Sequence, residues 1–285
     1  MSPTISSSSL PLEQFLSRLA LEPALLVQVH AVEGSVPRDV GAWMAVFQDA
    51  LVGTVGGGHL EHEAISTARA LLQLSAFAGA VNKFNHSQIT RFVLGPSLGQ
   101  CCGGVVHLRF EFVSARDRMA LRQRLEPTRK PVALFGGGHV GHALVRVLCS
   151  LPFAVTWIDS RDGVFPEDLD SLVAIEHSDP PQAAVKDIAP QSRVLIMSFS
   201  HAEDLEVLAA CLLRQRERTD LPYIGLIGSK TKWATFRSRL QARGFTPDEL
   251  AQVTSPIGVP GIAGKEPEVI AVAVAAQLLQ LPSKV

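Results

Sequence analysis

A chain of 285 residues, 47% hydrophobic and 19% charged, is long enough for one large domain or two ordinary ones, and its composition excludes a disordered chain. With 26 basic and 27 acidic residues the net charge is -1, which leaves no electrostatic footprint for nucleic acid or an anionic membrane surface.

In chain order, "MSPTISSSSLPLEQF" lacks the basic region and apolar core of a signal peptide and reads as a floppy start, with residues 1–10 as a tail. "ALLVQVHAV" reads as a strand, "GSVPRDVG" as a turn, and "AWMAVF" and "ALVGTV" as strands around a turn at "QDA". "GGGHLEHEAISTARALLQL" passes from glycines into a helix with Leu60, Ala64, Ala68 and Leu71 as its apolar repeat. "RFVLG" and "VVHLRFEFV" are two further strands flanking "GPSLGQCCGG". Residues 11–115 thus form a smaller, β-rich α+β domain. Residues 116–130, charged and ending in prolines, read as a linker.

From residue 131 to 285 strands and helices alternate. "VALFG", "AVTWID", "RVLIMSF" and "YIGLI" are buried strands, and helices lie at "HVGHALVRVLCSL", "AEDLEVLAACLLRQRER", "KTKWATFRSRLQARG" and from about Pro267. That alternation specifies an α/β domain with a doubly wound parallel sheet. The run from 269 to 281 is too short to span a bilayer, so a cytoplasmic protein with reduced thiols is expected.

Gly136-x-Gly138-x-x-Gly141 directly follows a strand and opens a helix, the context of a Rossmann-type nucleotide loop. Asp159 closes the next strand, where a carboxylate can accept from ribose hydroxyls, or can instead bond a neighbouring loop or Arg161. Cys101 and Cys102 are adjacent, too close for an unstrained disulfide, and lack the spaced pairs of a zinc site. They are candidate soft thiolate ligands for a metal or sulfur species, against the alternative of small residues packing a turn. Arg38, at a tip pinned by Pro37 and Gly41, suits phosphate or carboxylate, though a local ion pair would explain it equally well. Gly56, Gly57 and Gly58 make a second glycine-rich helix start, a natural anion site, with His59 a candidate ligand and Glu61 and His62 either ligands or a solvated face. Ser229, Lys230 and Lys232 follow a strand's carboxyl end, where open α/β sheets bind ligands. Lys265 precedes the last helix and opposes its dipole, which favours an anionic partner there.

These motifs together resemble the XdhC/CoxI family of xanthine dehydrogenase accessory proteins. The resemblance rests on seven blocks in order, namely "GSVPRDVGAWM", "GTVGGGHLE", "LGPSLGQCCGG", "VALFGGGHVGHAL", "VTWIDSR", "YIGLIGSKTK" and "SPIGVPGIAGKEPEVIAVAVAAQLL". It implies a non-catalytic chaperone that binds molybdenum cofactor, protects it during sulfuration by a cysteine desulfurase, and delivers it to the molybdenum subunit of xanthine dehydrogenase. A homodimer is expected. On this reading Arg38, the glycine loops at 56–58 and 136–141, His59, Gln100, Asp159, Ser229, Lys230 and Lys265 line the cofactor, and Cys101 and Cys102 face the metal. Family members often carry two histidines where this chain has Phe199 and His201, and some carry cysteine in place of His59. Two other readings compete: an oxidoreductase using NAD or NADP, for which no acid–base pair is evident, and a cofactor-free scaffold for desulfurase and dehydrogenase.

Overall fold

The computed structural model describes residues 11–77, 87–95, 103–169 and 173–282. The chain divides into two compact units, Met1–Glu126 and Pro127–Val285.

In the first unit, helix α1 (Pro11–Leu19) precedes strands β1 (Ala24–Glu33), β2 (Trp43–Val46) and β3 (Leu51–Gly53); α2 (Gly58–Phe77), β4 (Gln88–Val93), β5 (Val105–Val113) and α3 (Arg118–Leu125) follow. The strands make one antiparallel sheet, ordered β3-β2-β1-β5-β4. Period-two alternation gives each strand two faces. Leu25 and Val27 of β1, with Leu108 and Phe110 of β5, pack under Leu60, Ala64, Ala68 and Leu72 of α2. Leu26, Ala45, Phe47 and Val113 face the other way, onto Phe15, Leu16 and Leu19 of α1 and Leu121 and Leu125 of α3.

Two expectations are corrected here. The chain is helical from Pro11, where Phe15 is fully buried, so the start of the first unit is not a floppy continuation of the tail. Residues 116–130 are not an open linker either. A 3-10 turn at Ala115–Asp117 leads into α3, whose Arg122 reaches Glu13 of α1 through Nη2 at 2.9 Å, so most of the stretch belongs to the first unit. The three arginines of α3 hid a helix that buries only two leucines.

The second unit runs β6 (Lys130–Phe135), α4 (His139–Cys149), β7 (Phe153–Asp159), β8 (Val173–His177), β9 (Arg193–Ile196), α5 (His201–Arg218), β10 (Tyr223–Leu226), α6 (Lys230–Ala242), α7 (Pro247–Leu250), β11 (Val253–Thr254) and α8 (Pro267–Gln280). All six strands pair in parallel, ordered β11-β10-β9-β6-β7-β8. Ala133 and Phe135 of β6 pack with α5 and α6, and Val132 and Leu134 with α4 and α8, so both faces are covered. The order of strands reverses between β6 and β9. In such a sheet the crevice at the carboxyl ends of those two strands is the ligand-binding position. Among the described residues no helix is long and apolar enough to cross a membrane.

Candidate functional site

Each unit carries one cluster of the residues singled out above. In the first, β1 runs into residues 34–41, which fold back onto the loop after β3. Gly56, at φ +132°, leaves no room for a side chain, because a Cβ there would sit 2.6 Å from Cγ of Pro37. That contact sets Arg38, exposed and beside Gly56, at the start of α2 with Gly57, Gly58 and His59. Gly104 presses equally closely on the carbonyls of Glu33 and Ser35, and its own carbonyl accepts from the Leu94 amide at 2.9 Å. The base of the β4–β5 connection therefore abuts the arm that carries Arg38. Gln100, Cys101 and Cys102, on that connection, lie outside the described residues.

The glycine loop itself differs from expectation. Glu61, read from sequence as a ligand or a solvated face, turns back over the start of α2. Its carboxylate accepts from the amides of Val55 and Gly57, both at 3.1 Å, and from the Thr54 hydroxyl. Those two N–H groups are spent on the chain's own anion and are not open to a ligand. His59 pairs instead with Glu63, at 3.1 Å one helical turn on.

The second cluster lies at the reversal between β6 and β9. Gly136, at φ +125°, accepts no side chain because the Met197 carbonyl occupies that space, and its own carbonyl receives the Trp157 indole N–H at 2.9 Å. Gly141 is packed against the Gly136 carbonyl, while nothing stands within 4 Å of where a Cβ of Gly138 would lie. Gly136 and Gly141 thus allow close packing of the turn, while the backbone at Gly138 stays open. Gly141→Ala would drive its methyl into the Gly136 carbonyl, and a loss of about 1–3 kcal/mol is expected. Urea unfolding monitored by Trp157 fluorescence measures it.

Asp159 is almost wholly buried. Its Oδ2 accepts from the Gly137 amide at 2.5 Å and from Nη2 of Arg161 at 2.9 Å, and its Oδ1 from the amide and Nε of Arg161, both at 2.9 Å. Burial alone would raise its pKa; the Arg161 side chain and the two backbone amides outweigh that and hold the carboxyl below the ordinary aspartate value. Four donors fill a carboxylate's acceptor sites. In this arrangement Asp159 takes the second of its two sequence readings, bonding the loop and Arg161, and has no site left for a ribose hydroxyl. Arg161 in turn lies over the ring of Phe199, 4.7 Å from its centroid.

Ser229 caps α6, its hydroxyl accepting from the Lys232 amide at 3.1 Å, and Lys230 is exposed. The lysine aimed into the fold is Lys232. Its Nζ meets Asp204 at 2.6 Å and the Ile227 carbonyl at 2.9 Å, while the other Asp204 oxygen accepts from the Ser198 amide at 2.7 Å. Lys265 is exposed, and a carboxylate of the chain itself, Glu266, stands at the start of α8, accepting from the Lys265 amide at 3.0 Å. Among the described residues no group of three His, Cys, Asp or Glu side chains is placed to hold a metal ion.

The family model described as the XdhC Rossmann domain matches residues 132–278, and that of the XdhC and CoxI family matches residues 18–78. Among curated proteins, an uncharacterised protein, YqeB, of Escherichia coli strain K12 is 28% identical over 262 residues. That alignment takes in 91% of this chain and 43% of the relative, so the chain spans less than half of that protein's length. A crystal structure described as a xanthine dehydrogenase from Bacillus halodurans has the same fold, with a TM-score of 0.74 at 22% identity and 95% of each chain covered.

Proposed function

Because the chain belongs to the XdhC and CoxI family, we propose that it is an accessory protein of xanthine dehydrogenase maturation, with molybdenum cofactor as its cargo. It holds the cofactor while a cysteine desulfurase supplies the terminal sulfur, and passes it to the molybdenum subunit of the apo-dehydrogenase. The observation that best supports this reading is in the first unit. There the Arg38 arm packs on Gly56 on one side and on Gly104, at the base of the cysteine-bearing connection, on the other.

Molybdopterin ends in a phosphate, and Arg38 is an exposed guanidinium suited to it. The Val55 and Gly57 amides do not fit that role, since Glu61 holds them. Cys101 and Cys102 supply the soft donors that a sulfur-rich molybdenum centre calls for. Arg38 therefore binds and orients the anionic end, and the cysteine pair secures the metal end.

The test is the molybdenum and pterin content of the full chain purified from a cofactor-producing host. About one cofactor per chain is expected, with retention reduced about tenfold or more in Arg38→Ala, as loss of a charge-assisted hydrogen bond implies. The Cys101→Ala, Cys102→Ala double variant is expected to lose most of its metal. Purified protein free of both pterin and molybdenum would refute the reading.

A further inference from the structure

We propose that the first unit carries an oxyanion-binding site in the cleft between β5 and the start of α3, a site that recognises a phosphoryl group. It shares no residue with the Arg38 cluster and goes beyond the role proposed above. The cleft has a volume of about 240 Å³, and its lining includes Ser87, Arg109, Glu111, Arg116, Asp117 and Arg124.

Strand alternation explains why charged groups gather there. Leu108 and Phe110 of β5 turn inward under α2, so Arg109 and Glu111 turn to the opposite face. On that face the apolar cover from α1 and α3 includes Val113 at the end of the strand.

Glu111 is paired with Arg124, its two oxygens receiving Nη1 and Nη2 at 3.1 and 2.7 Å. Asp117 accepts from the amide and hydroxyl of Ser114 at 2.9 and 3.0 Å, closing the turn before α3. Arg116 approaches it only to 3.9 Å. Arg109 gives Nη2 to Gln28, its cross-strand partner, at 2.6 Å, but its Nε is buried with no acceptor. Three cations thus face two carboxylates, of which Glu111 is paired with Arg124 and Asp117 spends one oxygen, Oδ2, on Ser114. A guanidinium N–H without an acceptor costs about 1–3 kcal/mol, so Arg109 is the cation of the cleft whose bonding capacity the protein leaves unfilled. Arg109 and Arg116 approach from two different segments. A tetrahedral phosphoryl group, with oxygens pointing several ways, meets donors so arranged better than a planar carboxylate does.

Calorimetry on the full chain, at about 0.15 M salt to suppress non-specific attraction, tests this. The probes are inorganic phosphate, ribose 5-phosphate and acetate. Saturable binding of either phosphate is expected, with acetate weaker by about tenfold or more. Equal affinity for the two phosphates marks the free anion as sufficient, and tighter ribose 5-phosphate marks an organic phosphate; both support the site. Arg109→Gln and Arg116→Gln should each weaken binding about tenfold or more. Arg116 is largely exposed, so its variant keeps the test valid should Arg109→Gln fail to fold. Absence of saturable phosphate binding, acetate binding as tightly as phosphate, or undiminished phosphate binding by Arg116→Gln overturns the proposal.

Discussion

Lys232→Met is expected to cost the second unit about 3–5 kcal/mol, the largest loss from any single side chain considered, because it leaves the Asp204 carboxylate buried without its cation. The side chains of Lys232 and Asp204 are 11% and 2% exposed, so solvent cannot substitute for the missing ammonium. Methionine keeps the length and apolar stem of lysine, including the contact that crosses Gly228, so the loss reports the charge and its hydrogen bonds. The consequence reaches the crevice. Asp204 also fixes the Ser198 amide beside Gly136, so releasing Lys232 loosens the floor on which the glycine loop rests. Combining Lys232→Met with Asp204→Leu should return part of the stability, since no charge is then stranded, though the Ser198 amide stays unpaired. Urea denaturation followed by the fluorescence of Trp157 and Trp233 measures each step. An unchanged midpoint in the single variant would show that the pair holds nothing.

The same pair shows where sequence reading stopped. "GSKTK" follows β10 at the carboxyl edge of the sheet. Choosing between Lys230 and Lys232 needs the phase of α6, in which residues two apart point about 200° apart. The fold itself was legible, because alternating apolar strands and helices leave few arrangements open. The strand–loop–helix turn at Gly136, Gly138 and Gly141 was legible for the same reason. The partners of the loop amides were not. Glu61 and Asp159 each turn back to bond the glycine loop of their own unit, and that depends on loop geometry which no periodicity encodes. Both glycine-rich loops thus contain an internal carboxylate where the sequence suggested space for a ligand's anion. Helix α3 escaped detection because a helix that buries only Leu121 and Leu125 among arginines resembles a solvated linker.

Asp159→Asn should destabilise the second unit by about 1.5–3 kcal/mol at neutral pH, the range for hydrogen bonds to a charged group. The lower range applies because Arg161, its main partner, keeps about a third of its side chain open to solvent. Asparagine offers one oxygen where the carboxylate offers two, and sets an amide donor against Gly137 or Arg161, which also donate. The pH dependence identifies the cause. Asp159 has a folded pKa below its ordinary value of 3.8, so its stabilisation is complete at pH values above that ordinary value and is lost as pH falls through the folded one. The difference between wild type and Asp159→Asn should therefore hold constant from pH 7 to about 5 and narrow below about 4. Urea midpoints at several pH values across that range provide the measurement. A difference that persists unchanged into strong acid would mean that side-chain shape, rather than the carboxylate's charge, closes the Gly137 loop.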